Sequence, residues 1–141
     1  MVVRNKMKQE LENKLFESYP KIFVQKDLPM QKTCMCWGIS CGDGWYYLLD
    51  RLCTKIQNYV NGTHVDQIEA FQVKEKFGGL RFYTNYSDNV VDKFIEEAEL
   101  ESYNTCEICG TIENIGVTKG WSVTCCEDCA KKIGREWKRN E

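Results

Sequence analysis

An α+β fold, with helices packed on a β-hairpin or small antiparallel sheet, is predicted by three features of this 141-residue sequence. Apolar residues recur at helical spacing in three stretches, and a Gly78-Gly79 pair separates two alternating segments. Near the C-terminus four cysteines stand in two pairs, each with a two-residue gap. No repeat, low-complexity tract or long linker interrupts this order. The expected division is an α+β core over 1–103 and a cysteine module over 104–141, packed on the core or appended to it.

The first helix is read in "KMKQELENKLFESY" (6–19), where Leu11, Leu15 and Phe16 share one side and Pro20 ends the run. A less regular segment reaches about Thr33. In "CMCWGISCGDGWYYLLDRLCTKIQNYVNG" (34–62), Asp43 is placed to cap a helix starting near Gly44, and Gly62 to stop it. Trp45, Leu49, Leu52, Cys53, Ile56 and Val60 form its core-facing stripe. The period then changes. Phe71, Val73 and Phe77 fall on one face of a strand, and Leu80 and Phe82 alternate with Arg81 and Tyr83 beyond the glycine pair. Over 87–102, Ser87 or Asp88 caps a helix whose buried stripe is Val91, Phe94, Ile95 and Ala98. Its other side carries Asp92, Glu96, Glu97, Glu99 and Glu101 against one Lys93.

The last module carries the clearest chemistry. Cys106-Glu107-Ile108-Cys109-Gly110 is a metal-binding turn: two thiolates converge on one ion while the glycine lets the chain reverse. Sixteen residues separate Cys109 from Cys126, and Cys126-x-x-Cys129 supplies a second pair, a spacing that signals zinc. "TIENIGVTKGWSVT" between them reads as a short hairpin. "EDCAKKIGREWKRN" reads as a helix, acidic at its start and basic at its end, with Cys126 and Cys129 in the first turn where the dipole favours thiolates. Cys125 is then the surplus thiol, although exchange with its neighbour stays open at this level. The order knuckle, hairpin, helix resembles the treble-clef zinc finger over 104–139. Four thiolates close the metal's shell, so the expected Zn2+ is structural and leaves no position for a reacting water.

Composition narrows the rest. Hydrophobic residues make up 43% and charged residues 28%, with a net charge of −2, so a nucleic-acid or lipid partner would need a local basic patch. "MVVRNKMKQELENKL" is charged at once, and the longest apolar run, "WYYLL", is too short to span a bilayer. A cytoplasmic, reducing setting is expected, in which nine cysteines argue for free or metal-bound thiols. Cys34, Cys36, Cys41 and Cys53 fit no common ligand framework, and Cys53 lies on an apolar stripe where a thiol packs well.

Together, "CMCWGISCGDGWYYLL", "VKEKFGGLRFY" and "CEICG" followed by "GW…C..C" resemble a widespread group of small phage and prophage proteins, over most of 14–130. The resemblance implies a bacterial-host cytoplasm and action by binding, for instance inhibition of a host-defence protein. Three functions are carried forward. A non-enzymatic protein-binding role follows from charge segregation: the 87–102 helix is acidic, while Lys131, Lys132, Arg135, Lys138 and Arg139 make the end basic. Trp37, Tyr46 and Tyr47 are possible anchors beside "CGDGW". Nucleic-acid binding or transcription modulation would use the basic last helix with Trp137 as a stacking surface. A metal-dependent nuclease would need Gln72 and Lys74 with Asp43 or Asp50, and a signal-nucleotide binder would use Arg81. The binding residues expected to matter most are Lys74, Lys76 and Arg81 on the hairpin, with Lys131, Lys132 and Arg135 on the last helix. Oligomeric state is not legible.

Overall fold

The computed structural model describes residues 6–141 and is α+β. Helix α1 (Gln9–Ser18) is followed by two 3-10 turns, Val24–Asp27 and Met35–Trp37, and a two-residue strand β1 (Ile39–Ser40). A third 3-10 turn, Asp43–Trp45, leads into α2 (Tyr46–Gly62), then β2 (Ala70–Lys76), β3 (Gly79–Thr84) and α3 (Asn89–Ser102). In this first sheet the order is β1-β2-β3, with β1 parallel to β2 and β2 antiparallel to β3. The C-terminal part holds β4 (Ile115–Thr118), β5 (Thr124–Cys126), α4 (Glu127–Lys132) and β6 (Trp137–Arg139), in an antiparallel sheet ordered β5-β4-β6.

The expected stripe of α2 is the centre of the core. Trp45, Leu49, Cys53 and Ile56 are fully buried, Leu52 nearly so, and Val60 packs at the margin. Each such aliphatic side chain contributes about 1.5–3 kcal/mol when removed from water. Asp43 does not cap α2, which begins without a side-chain cap. Its Oδ1 instead accepts the backbone N–H of Lys8 at 2.8 Å, immediately before α1. The tight 3-10 turn ahead of α2 carries Asp43 away from the helix axis, and α1 gains the acceptor.

Strand β1 was not legible because two residues carry no period. It is fixed from outside: Glu12 is buried, pairs with Lys6, and accepts the Ile39 N–H at 2.8 Å. A carboxylate in that position needs both partners to offset its desolvation.

The hairpin forms where expected, but its turn is Phe77-Gly78, not Gly78-Gly79. Phe77 has φ 54° and Gly78 φ 85°, the two left-handed positions of a type I′ turn. Gly79 is already in β3, opposite Lys76, where a Cβ would overlap the Tyr103 ring. This places Phe77 in solvent, 77% exposed, rather than on the face of Val73. A register shift between Ala70 and Gln72 likewise turns Phe71 outward while Ala70 and Val73 are buried.

Helix α3 starts as predicted. Asp88 Oδ1 accepts from the N–H groups of Val90 at 3.0 Å and Val91 at 2.9 Å, and its other oxygen from Tyr59 Oη at 2.5 Å. The Tyr59 hydroxyl first, and then these amides, hold the Asp88 carboxyl below its ordinary range. A depressed folded pKa means the cap's contribution is present above the ordinary Asp range and fades as pH falls through the folded value. Asp88→Ala should therefore lower Tm clearly near pH 6, with the gap to wild type closing as pH falls below the ordinary Asp range. A gap independent of pH in thermal melts would contradict the charged cap.

Candidate metal centre

Four sulfurs converge at the C-terminal part. The Sγ atoms of Cys106, Cys109, Cys126 and Cys129 all lie within 4.8 Å of one another, and Cys125 is outside the group. Cys109 Sγ to Cys126 Sγ is 3.8 Å. A tetrahedral ion with metal–sulfur bonds of about 2.3 Å spaces its ligands about 3.8 Å apart, so the geometry fits a four-thiolate ion.

Local sequence explains how each sulfur is placed. Cys106 and Cys109 sit on a tight turn closed by Gly110 N–H to the Cys106 carbonyl at 2.9 Å, with Gly110 at φ 84°. The Cys109 amide points at Cys106 Sγ, 3.4 Å away. The second pair repeats this: Cys126 ends β5 and caps α4, and its Sγ accepts the Cys129 N–H at 3.4 Å. Burial opposes ionisation of Cys106, but the amides of Cys109, Cys126 and Ile108 outweigh it and the thiol falls below its ordinary value. Cys129 is pushed up, by burial first and then by the neighbouring sulfurs. Thiolates crowded this closely repel one another, and a divalent cation is what relieves it.

Cys125 occupies the strand position opposite Gly116 and is fully buried, its thiol pushed up to about 11, chiefly by burial. Strand alternation turns it away from the side used by Cys126. Among the described residues Cys34, Cys36, Cys41 and Cys53 assemble no second metal group. Cys41 and Cys53 are fully buried, and burial raises both thiols.

The knuckle is also the surface on which the core rests. Glu107, between the two cysteines of the turn, is fully buried. Its Oε2 accepts the Gly42 N–H at 2.8 Å, its carbonyl accepts the Gly44 N–H at 2.8 Å, and its own N–H reaches the Thr124 carbonyl at 3.0 Å. Trp45 Nε1 donates to the Thr105 carbonyl at 2.9 Å. "CGDGW" thus lies directly against "CEICG", and Gly44 is required because a Cβ there would overlap the Cys106 carbonyl oxygen. A further bond joins the two hairpins: Thr124 Oγ1 donates to the Gly78 carbonyl at 2.6 Å. Glu107 is the residue sequence reasoning passed over, since a lone acid in a cysteine turn reads as solvent-facing.

The last helix is shorter than predicted. It spans Glu127–Lys132, Gly134 takes φ 69°, and the chain returns as β6 against β4. Gly134 breaks the helix, and Gly116 in β4 lets β6 approach, since a Cβ there would overlap the Lys138 carbonyl oxygen. Lys131 and Lys132 remain exposed on α4, but Arg135 lies beyond it and donates from Nη2 to the Lys119 carbonyl at 2.8 Å. Trp137 is half-buried on β6, its Nε1 donates to the Cys125 carbonyl at 2.8 Å, and Arg139 lies 5.8 Å from its ring centroid.

The hairpin cations divide. Lys74 is half-buried, opposite Arg81 and beside Ser40 in the sheet register. Lys76 is exposed, with Nζ 5.6 Å from the Phe77 ring centroid. Arg81 pairs with Glu99 at 2.8 Å and donates to Tyr103 Oη at 3.3 Å. The cleft beside it is also lined by Asp92, so two carboxylates meet any anion entering there. Asp50, weighed for a nuclease, accepts Tyr19 Oη at 2.6 Å and so joins α1 to α2, as Asp43 joins α1 to the turn before α2. Of the aromatics near "CGDGW", Trp37 is 62% and Tyr47 72% exposed, whereas Tyr46 packs against the core. Among the described residues no helix is long and apolar enough to cross a membrane. No protein-family model, curated protein or solved structure matches the chain, so the site's own atoms are the ground for its function.

Proposed function

We propose that this chain is a non-enzymatic, zinc-stabilised accessory protein of the phage and prophage kind, acting in a bacterial cytoplasm by binding a macromolecular partner. The zinc is structural: four thiolates fill its shell, and its role is to hold the C-terminal sheet on the core. The observation that supports binding is the pair of hairpin ends fastened by the Thr124–Gly78 hydrogen bond, which carry Phe77 and Trp121 exposed by 77% and 57%. Burying large aromatic rings normally stabilises a fold, so two held out in solvent on braced turns are suited to a partner. The resemblance makes a host-defence protein one partner to test. The cations around the turns favour a second reading, a nucleic acid.

Copurification from a bacterial host should recover a partner with the wild-type chain and lose it with the double variant Phe77→Ala, Trp121→Ala. Native mass spectrometry of the same preparation should report one zinc ion per chain and the subunit count. Recovery of nothing above background, or identical recovery by both forms, would end the binding reading of these turns.

A further inference from the structure

We propose that the two adjoining hairpin turns form a site for single-stranded nucleic acid, with Phe77 and Trp121 stacking on bases and the lysines and arginine beside them holding phosphates. This rests on the binding reading above and names the partner's chemistry.

Placement comes first. The Phe77-Gly78 turn of β2–β3 is fastened to β5 through the Thr124 hydroxyl, and a Cβ built on Gly78 would lie 3.8 Å from Ser122 Cβ. Phe77 and Trp121 are the chain neighbours of Gly78 and Ser122, so the two turns that carry them lie side by side. Phe77 is held there at a cost. With φ 54° it occupies a backbone region that bulky side chains rarely adopt and that asparagine or glycine normally fills in such a turn. The packing of Gly79 on Tyr103 and the Glu75 Oε2 bond to the Gly78 N–H at 2.8 Å enforce that conformation. An aromatic ring, strained in backbone and bare in solvent, contributes little to the fold that carries it.

Charge selects the partner. Lys76 stands over the Phe77 ring, Lys119 precedes Gly120 in the second turn, and Arg135 is bonded beneath it to the Lys119 carbonyl. Lys131, Lys132 and Lys138 are exposed on the adjoining α4 and β6. From 115 to 140 the acids are Glu127, Asp128 and Glu136 alone, in a chain whose net charge is −2. The C-terminal stretch is therefore locally basic, and at the first turn the Glu75 carboxylate is held by the Gly78 N–H. Glu136 lies 3.6 Å from Lys119, an exposed contact that a phosphate can replace. The centres of protein–protein interfaces are poor in lysine and rich in contiguous apolar area, whereas here Lys76 stands over the Phe77 ring and Lys119 and Arg135 belong to the turn that carries Trp121. Alternating π-faces and cations are what a single strand uses, because its bases are free to stack and its phosphates are regularly spaced. A duplex hides its base faces and would find only the cations.

The test is fluorescence anisotropy of the zinc-loaded full chain with labelled 20-nucleotide oligo-dT, oligo-rU and a 20-base-pair duplex. Binding to one or both single strands, weakening with salt and tighter than to the duplex, is expected. Phe77→Ala and Trp121→Ala should each weaken it about 5- to 150-fold, the range of a lost base–aromatic stack. Phe77→Tyr and Trp121→Phe should retain most of it, which separates stacking from a general loss of fold. Lys76→Gln should reduce the slope of log affinity against log salt by about 0.7, one phosphate contact. Absence of single-strand binding, equal or tighter duplex binding, or binding unchanged in both alanine variants would overturn the proposal. If oligonucleotides fail while a protein is still captured through Phe77 and Trp121, this inference falls and the binding reading stands. If neither is seen, both fall.

Discussion

Cys106→Ser should yield a chain without a bound metal ion and without an ordered C-terminal sheet, where the wild type should carry one ion. The expected loss is large because the module has little else. Its buried cluster is Ile115, Val123, Ala130 and the cysteines Cys106, Cys125, Cys126 and Cys129, with Ile108 and Trp137 at its margin. Structural zinc contributes about 10–16 kcal/mol of apparent folding free energy in small fingers, far above what so few apolar side chains provide. Chelation of the wild type should have the same effect, and Cys109→Ser, Cys126→Ser and Cys129→Ser should follow. Cys125→Ala is the informative control: outside the sulfur group, it should retain the ion. Metal content by native mass spectrometry with far-ultraviolet circular dichroism reads the series. A Cys125→Ala chain that loses zinc while Cys126→Ser keeps it would show that the neighbours had been exchanged.

Trp45→Ala should be the most damaging single change in the core, costing about 3–5 kcal/mol in denaturant unfolding. Trp45 is fully buried, so its removal opens a cavity the size of an indole. It also leaves the Thr105 carbonyl, next to Cys106, without its indole donor. Both halves should feel it. Because Gly42, Gly44 and Trp45 all bond to 105–107, the core and the metal turn share one interface. Trp45→Ala should therefore speed metal transfer to a chelator as well as lower stability, and Trp45→Phe, which keeps an aromatic ring but no donor, should fall between. Unchanged zinc-release kinetics in a folded Trp45→Ala chain would mean that the two parts are merely adjacent.

Periodicity and spacing determined a great deal in this chain. The α2 stripe from Trp45 to Ile56, the Asp88 cap and the two cysteine pairs each follow from a local rule, because spacing on a helix, a cap's reach and a knuckle's gap are set within a few residues. Errors arose where a residue's fate depends on a distant neighbour. Gly79 looked like a turn glycine, but Tyr103 claims the space above it. "GREWKRN" looked helical by charge, but β4 offered an unpaired edge, and Gly116 let Trp137, Lys138 and Arg139 close on it.

By itself, then, the sequence determined the three helices of the core, the hairpin and the donor set for an ion. Only the tertiary structure decided that Glu107 is a buried bolt between core and metal turn, that Arg81 is taken by Glu99, and that Phe77 stands in solvent. The physical reason is separation along the chain. Hydrogen bonds such as Gly42 to Glu107 or Gly78 to Thr124 join segments dozens of residues apart, and no local period carries information about a partner that only folding brings near.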